Sequence, residues 1–238
     1  MSIYEHLSQV YDIGWSGFAE QYVNLVNQLL GEYGITQARM LDLACGTGIL
    51  AIALGNQGHI AHGIDISSAM VALAKSKSVE IPNVSFEVQD MAKFVVRGKF
   101  DLITCTFDSL NYLLNSGGVM AMFGRVAQSL TKSGLFVFDS NTTQHYIYVG
   151  NGSRKTELGG QSFAHTWSYD STKKEATTTF EFADGAKEIH RQRPYDLSQL
   201  DPILADVGLC AVRTWSGFDR SPYNAQSRRL LCVAQKSA

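Results

Sequence analysis

Leu41-Asp42-Leu43-Ala44-Cys45-Gly46-Thr47-Gly48 decides the fold. An apolar run ends in two glycines one residue apart, and residues 49–57 then repeat apolar side chains at helical intervals. This is a strand, a tight turn and a helix. Glycine supplies the backbone freedom such a turn needs, and the first N–H groups of the helix face whatever ligand sits there. A ligand with an anionic end is expected at this turn.

Outward from it, short apolar runs alternate with helical stretches. Strands are predicted over 40–44, 60–64, 84–88, 100–106 and 135–138, with helices over 49–57, 69–77 and 119–130 between them. Ser67 or Ser68 caps the second of these helices, and Lys132 and Gly134 read as the stop of the third. An amphipathic helix over 17–33, closed by Gly34, precedes the first strand. A helix over 198–207 and strands over 210–217 and 228–234 end the chain. The spacing implies parallel βαβ units, hence an α/β, doubly wound, Rossmann-like sheet.

Residues 141–195 break the rhythm with alternating stretches over 163–169, 174–183 and 187–195, read as an antiparallel meander. Asp184-Gly185 is read as a two-residue hairpin turn, setting Phe182 opposite Lys187, Phe180 opposite Ile189 and Thr178 opposite Arg191. One face would then carry Phe163, His165, Trp167, Tyr169, Phe180, Ile189, Arg191 and Arg193. The chain is divided accordingly: 1–140 with 196–238 as the ligand-binding domain, and 141–195 as a β cap inserted in it.

The 238 residues, 45% of them hydrophobic, suffice for one full-sized core. With 20 Lys and Arg against 22 Asp and Glu, the net charge of -2 lacks the excess that binds a phosphate backbone, so no nucleic-acid partner is expected. Residues 1–12 show no positive cluster and no long apolar run, so neither a signal peptide nor a membrane span is read and the expected address is the cytoplasm. Cys45, Cys105, Cys210 and Cys232 have no metal-site spacing and are expected to be reduced, buried thiols. Oligomeric state is not legible.

Gly46-Thr47-Gly48-Ile49-Leu50-Ala51 also satisfies the loose G-x-G-x-x-A form of a dinucleotide site, with Asp65 about twenty residues on. An NAD(P)-dependent oxidoreductase is therefore one reading. Asp42 tips the balance: an acid four residues before the first glycine opposes a pyrophosphate but suits a cationic ligand. S-adenosylmethionine, with an ammonium, a sulfonium and a carboxylate, suits an acid beside a helix N-terminus. A non-catalytic protein binding the same ligand stays open, because fold and ligand do not establish turnover.

L-D-L-A-C-G-T-G resembles the first motif of the class I S-adenosylmethionine-dependent methyltransferases, and the likeness continues through Ile64-Asp65-Ile66-Ser67 and Val88-Gln89-Asp90-Met91. That resemblance implies that Asp65 accepts both ribose hydroxyls, that Asp90 accepts from the adenine amine, and that Ile66 and Met91 sandwich the ring. Tyr11, Asp42, Ala44, Gly46, Gly48 and Thr106 complete the implied cofactor contacts. Met70 and Trp15 are read as core. The opening Tyr4…Tyr11-Asp12 and Ser109-Leu110-Asn111-Tyr112-Leu113 are similar to bacterial small-molecule members, whose N-terminal segment folds over the cofactor. The acceptor implied is a nitrogen or oxygen of a small molecule.

Such transfers draw largely on positioning and water exclusion. Candidates beside the reacting methyl are Tyr112, in the loop after the fourth strand, and His190 and Arg193 of His190-Arg191-Gln192-Arg193-Pro194-Tyr195, which resembles an H-x-x-R-x-Y stretch of related caps. Cys105-Thr106 lacks the P-C nucleophile of cytosine C5 methyltransferases, and Asp108-Ser109-Leu110-Asn111-Tyr112 lacks the [DN]-P-P-[YF] motif of adenine methyltransferases. Asp139 and Asn141 only faintly resemble a metal site, and no metal is expected.

Overall fold

The computed structural model describes residues 3–237; Met1 and Ser2, part of the N-terminal reading above, lie outside them. The first half alternates α1 (Ser8–Glu32), β1 (Arg39–Leu43), α2 (Ile49–Asn56), β2 (Ile60–Asp65), α3 (Ser68–Lys77), β3 (Val84–Val88), β4 (Phe100–Cys105), a 3-10 turn (Ser109–Tyr112), α4 (Ser116–Ser129) and β5 (Leu130–Asn141). There follow α5 (Thr143–Val149), β6 (Gly152–Leu158), β7 (Gln161–Asp170), β8 (Glu175–Phe182), β9 (Lys187–Gln192), α6 (Leu197–Asp206), β10 (Leu209–Trp215) and β11 (Arg229–Lys236). Seven strands form one sheet in the order β10-β11-β5-β4-β1-β2-β3, in which β11 runs against its neighbours, and β6 to β9 form a separate antiparallel meander. The doubly wound sheet with a β insertion after its fifth strand is therefore as expected.

Successive residues of the central strands feed opposite cores, as a sheet covered on both faces requires. Met40, Leu102, Val137, Leu231 and Val233 pack under α1, α2 and α3. Leu41, Ile103, Phe136, Phe138, Leu230 and Cys232 pack under α4 and α6. Ser67 caps α3 by accepting from Met70 N at 3.3 Å, and Asp196 with Gln199 builds a capping box on α6. A smaller cluster, Leu7, Val10, Phe163, Phe180 and Phe182, joins the start of α1 to the meander. That cluster explains why α1 begins at Ser8 and not near residue 17: its first turns carry apolar residues for the meander and later ones for the sheet.

Several local expectations are corrected. The meander has four strands, β6 being too polar to read as one, and α5 precedes it. The β8–β9 loop spans three residues, Ala183 to Gly185: Phe182 N donates to Ala186 O at 2.9 Å, and Gly185 takes a φ of 86°. The register is consequently Glu181 to Lys187, Phe180 to Glu188 and Thr178 to His190. A one-residue slip exchanges faces, so Glu188 and His190, not Ile189, Arg191 and Arg193, share the face of Phe163, His165, Phe180 and Phe182. Lys132 and Gly134 lie in β5 and do not stop α4; a Cβ on Gly134 would stand 2.9 Å from the Phe100 carbonyl oxygen, so this glycine serves a close strand contact. Cys210 is exposed and Cys45 half-buried, whereas Cys105 and Cys232 are buried. Among the described residues no helix is long and apolar enough to cross a membrane.

Gly46 and Gly48 both adopt positive φ, 53° and 80°, but only at Gly48 would a Cβ meet a neighbour, 2.6 Å from the Phe86 ring. Gly46→Ala should cost about 1–2 kcal/mol of backbone strain. Gly48→Ala should lose about 1–3 kcal/mol more through overpacking. Urea midpoints at unchanged slope measure both; equal losses would contradict the packing argument.

Candidate active site

β1 connects to α2 on one face of the sheet and β4 to α4 on the other, which opens a crevice above their adjacent carboxyl ends. A cavity there is lined by Ile3, Tyr4, Tyr11, Asp42, Ala44, Gly46, Asp65, Ile66, Met70, Met91, Thr106, Phe107 and Tyr112, among others. The turn after β1 holds Ala44 at a φ of 54°, left-handed like Gly46. Asp65, at the end of β2, fixes that turn, accepting from Gly46 N at 2.9 Å and Ser67 N at 2.8 Å. Asp12 of α1 bridges the other side, accepting from the Thr47 hydroxyl and from Lys77 Nζ, the latter at 2.6 Å.

Asp42 is 3% exposed, and among the described residues one hydrogen bond reaches its side chain, from the Thr104 hydroxyl at 2.6 Å. Burial pushes its carboxyl up to about 7 against that bond, and the charge of Asp65 adds to the effect. Burial likewise raises Asp65, although its main-chain N–H partners oppose the shift. Among the described residues no Lys, Arg or His lines the cavity. An under-satisfied acid in an apolar wall fits a ligand that brings a cationic group and its own donors.

Of the cofactor candidates, Tyr11, Asp42, Ala44, Gly46, Asp65, Ile66, Met91 and Thr106 line this cavity. Gly48 and Asp90 are not among the lining residues. Gly48 is the N-cap of α2, and Asp90 accepts from Ala92 N at 2.8 Å beside Lys93 Nζ at 3.3 Å, holding the turn that presents Met91. Met70, read as core, is 1% exposed yet lines the cavity as well. Trp15 is half-buried and stacks on Tyr11.

At the far wall the Tyr112 hydroxyl lies 2.6 Å from the Tyr4 hydroxyl and 2.9 Å from His190 Nδ1. His190 Nε2 lies 3.4 Å from Glu188 Oε2. Burial, with the nearby Asp108 charge, drives the Tyr112 phenol well above its ordinary value, despite the bond from Tyr4. Two of the three catalytic candidates, Tyr112 and His190, are thus joined. Arg193 is brought near only by its main chain, which exchanges hydrogen bonds with Asn111: Arg193 N donates to Asn111 O at 2.8 Å, and Asn111 Nδ2 to Arg193 O at 2.7 Å. It follows the end of β9, and its side chain is not part of the cavity wall.

Sequence reasoning missed Glu188 and a buried network beneath the site. Phe107 and Asp108 both take left-handed φ, 62° and 47°, which is costly for side-chain-bearing residues. Asp139 holds them, accepting from Asp108 N at 3.1 Å through each oxygen while pairing with Arg229; Gln192 Nε2 donates to Asp108 at 2.7 Å. Asp139, fully buried, is pushed up to about 6 by burial, with Arg229 opposing. Adjacent positive φ outside glycine leaves no sequence signal; the alternation of β9 could have found Glu188 had the hairpin register been right. Among the described residues no three His, Cys, Asp or Glu side chains are grouped as metal ligands.

Known proteins resemble the chain over both the core and its full length. A family model described as a methyltransferase domain matches residues 40–134. The YqeM protein of Bacillus subtilis (strain 168), provisionally named a methyltransferase, is 29% identical, covering 99% of this chain and 98% of its own. The dTDP-3-amino-3,6-dideoxy-alpha-D-glucopyranose N,N-dimethyltransferase of Streptomyces fradiae is 26% identical, covering 72% of this chain and 67% of its own. Among solved structures, an S-adenosylmethionine-dependent methyltransferase from Clostridium acetobutylicum ATCC 824 superimposes with a TM-score of 0.85 at 22% identity, covering 99% of each chain. That likeness concerns the fold.

The raised Asp42 acid gives a signed expectation. Below pH 7 it is protonated in the free protein, and an ammonium ligand favours its ionised form. S-adenosylhomocysteine affinity should therefore rise from pH 5.5 toward 7 with proton release, and Asp42→Asn should remove both the release and the slope. Calorimetry in buffers of different ionisation enthalpy checks this; a pH-independent wild-type affinity would refute it. Asp42 by itself should contribute less stability to the free protein over the same rise, because it holds its proton above the unfolded value near 3.8. The wild type should therefore lose stability relative to Asp42→Asn, while His59, His62, His145 and His165, each lowered chiefly by burial, act in the opposite direction in both.

Proposed function

Because the chain is a class I S-adenosylmethionine-dependent methyltransferase, with S-adenosylmethionine as its methyl donor, we propose that it methylates an amine nitrogen of a small molecule. The observation carrying this reading is the wall of the cavity: acids and aromatic rings without a basic side chain. Tyr4, Tyr11, Tyr112 and Phe107 supply ring faces that attract an ammonium, and Asp108 lies close enough to act on all three phenols. Among the described residues no basic side chain lines the wall to meet an anionic acceptor, and Arg229 behind it is paired with Asp108 and Asp139. The amino-sugar substrate in the name of the Streptomyces fradiae relative supports a nitrogen acceptor.

Bound S-adenosylmethionine supplies an activated methyl on a sulfonium. In this assignment Asp42 faces its ammonium, Asp65 accepts from its ribose, and Ile66, Met70 and Met91 give the adenine an apolar slot. Tyr11 and Tyr4 close the cavity against water. An ammonium must lose a proton before its nitrogen can attack, and the Tyr112 oxygen, hydrogen-bonded to His190 Nδ1, is placed to take it. Residues 141–195 serve as the cap that selects the acceptor, since β9 contributes His190 and Gln192 to this side of the site.

The test is production of S-adenosylhomocysteine, read by mass spectrometry, from a panel of amino sugar nucleotides, aliphatic amines and their hydroxyl analogues. Turnover with amines alone is expected; methylation of the hydroxyl analogues would overturn the nitrogen assignment. Asp65→Ala should weaken S-adenosylmethionine binding roughly tenfold to a hundredfold, about 1.5–3 kcal/mol. Tyr112→Phe should keep that affinity within about threefold yet lower kcat/KM by about tenfold or more, about 1.4 kcal/mol.

A further inference from the structure

Helix α1 starts without a cap of its own: its N-cap residue Leu7 offers no side-chain hydrogen bond, and no acid lies in its first turn. The missing acceptor comes from the meander. Glu188, 2% exposed on the apolar face of β9, accepts from Tyr4 N at 3.0 Å, His6 N at 2.5 Å and Leu7 N at 3.3 Å. The same carboxylate faces His190 Nε2 at 3.4 Å. His6 Nδ1 stands 3.9 Å from its other oxygen. Burial alone would raise this acid, but the bonds from His190 and from the main chain of His6 and Leu7 hold it below the usual range, so it is ionised.

An ionised carboxylate only accepts hydrogen bonds. The imidazole nitrogen facing it must carry the hydrogen, and in the neutral ring this leaves the Nδ1 lone pair toward Tyr112. We propose that Glu188 is a positioning residue with two coupled duties: it latches residues 4–7 over the ligand cavity, and it fixes His190 in the Nε2–H form that accepts a proton through Tyr112. Closure of the cavity and readiness of the base then depend on one side chain. In the transfer, an ammonium gives its proton to the Tyr112 oxygen as the phenol's own proton passes to His190 Nδ1. The amine is left with its lone pair, and the imidazolium formed is stabilised by Glu188. The destination of the proton rests on the amine reading above; the tautomer and the latch do not.

The experiment uses the full chain bound to S-adenosylhomocysteine and needs no methyl acceptor. Imidazole nitrogen NMR reports the His190 tautomer, and hydrogen exchange reports the amides of His6 and Leu7. The wild type should show Nε2–H alone. Glu188→Gln should mix the tautomers and raise exchange at both amides by at least about tenfold, corresponding to about 1.4 kcal/mol of opening free energy. His190→Asn should leave those amides within about threefold. An Nδ1–H wild type overturns the proposal without recourse to any variant. So does a Glu188→Gln protein that changes the strap but not the tautomer, or the tautomer but not the strap. Should the amine panel fail while these results hold, the acceptor assignment falls and the role of Glu188 stands.

Discussion

Strands β1 and β4 lie side by side yet send their connections to opposite faces of the sheet, and every part of the site depends on the gap this leaves. The divergent connections leave a space above the carboxyl ends of these two strands, so Asp42, Ala44, Gly46, Thr106 and Phe107 line a cavity, which Tyr11 of α1 bounds from the other side. A parallel sheet also aligns the end of β2 beside that of β1, which brings Asp65 against Gly46. The glycine turn, the acid behind it and the acid beside it are one geometric consequence of strand order.

The opposite wall is held by charges that the core would otherwise exclude. Asp139 and Arg229 sit on adjacent antiparallel strands, and a buried ion pair of this kind contributes little net stability by itself. What it accomplishes is positional: Asp139 accepts from the Asp108 main chain and keeps two successive residues left-handed where a relaxed loop would turn away. Gln192 extends the network to the meander and Tyr22 ties it to α1. Sheet, meander and first helix are thereby registered to one another at the point where an acceptor would enter.

The sheet was legible because its signal is redundant: five apolar runs, each flanked by a helix, need no single residue to be read correctly. The glycine turn and the acid at Asp65 were legible because both lie close in sequence to the element they serve. Glu188 was not, since Asp184-Gly185 is compatible with hairpin loops of two or three residues, and the choice between them turns an inward carboxylate outward. The Asp108, Asp139, Gln192 and Arg229 network was hidden for another reason. Its members come from four separate parts of the chain and are each unremarkable alone. α5 escaped because Tyr146, Ile147, Tyr148 and Val149 favour strands, while its Thr142 cap, which accepts from His145 N, is a weak local sign.

The acceptor for the first turn of α1 comes from a residue more than 180 positions later in the chain. During synthesis the start of the helix leaves the ribosome well before its cap, and at roughly 5–20 residues per second the interval is on the order of ten to forty seconds. Over that time β1 to β5 can assemble from their neighbouring units, but the entrance of the cavity stays unsealed. Birth order therefore separates a ligand-accessible nascent domain from one whose entrance is sealed, and β10 and β11, which follow the insertion in the chain, complete the sheet only afterwards.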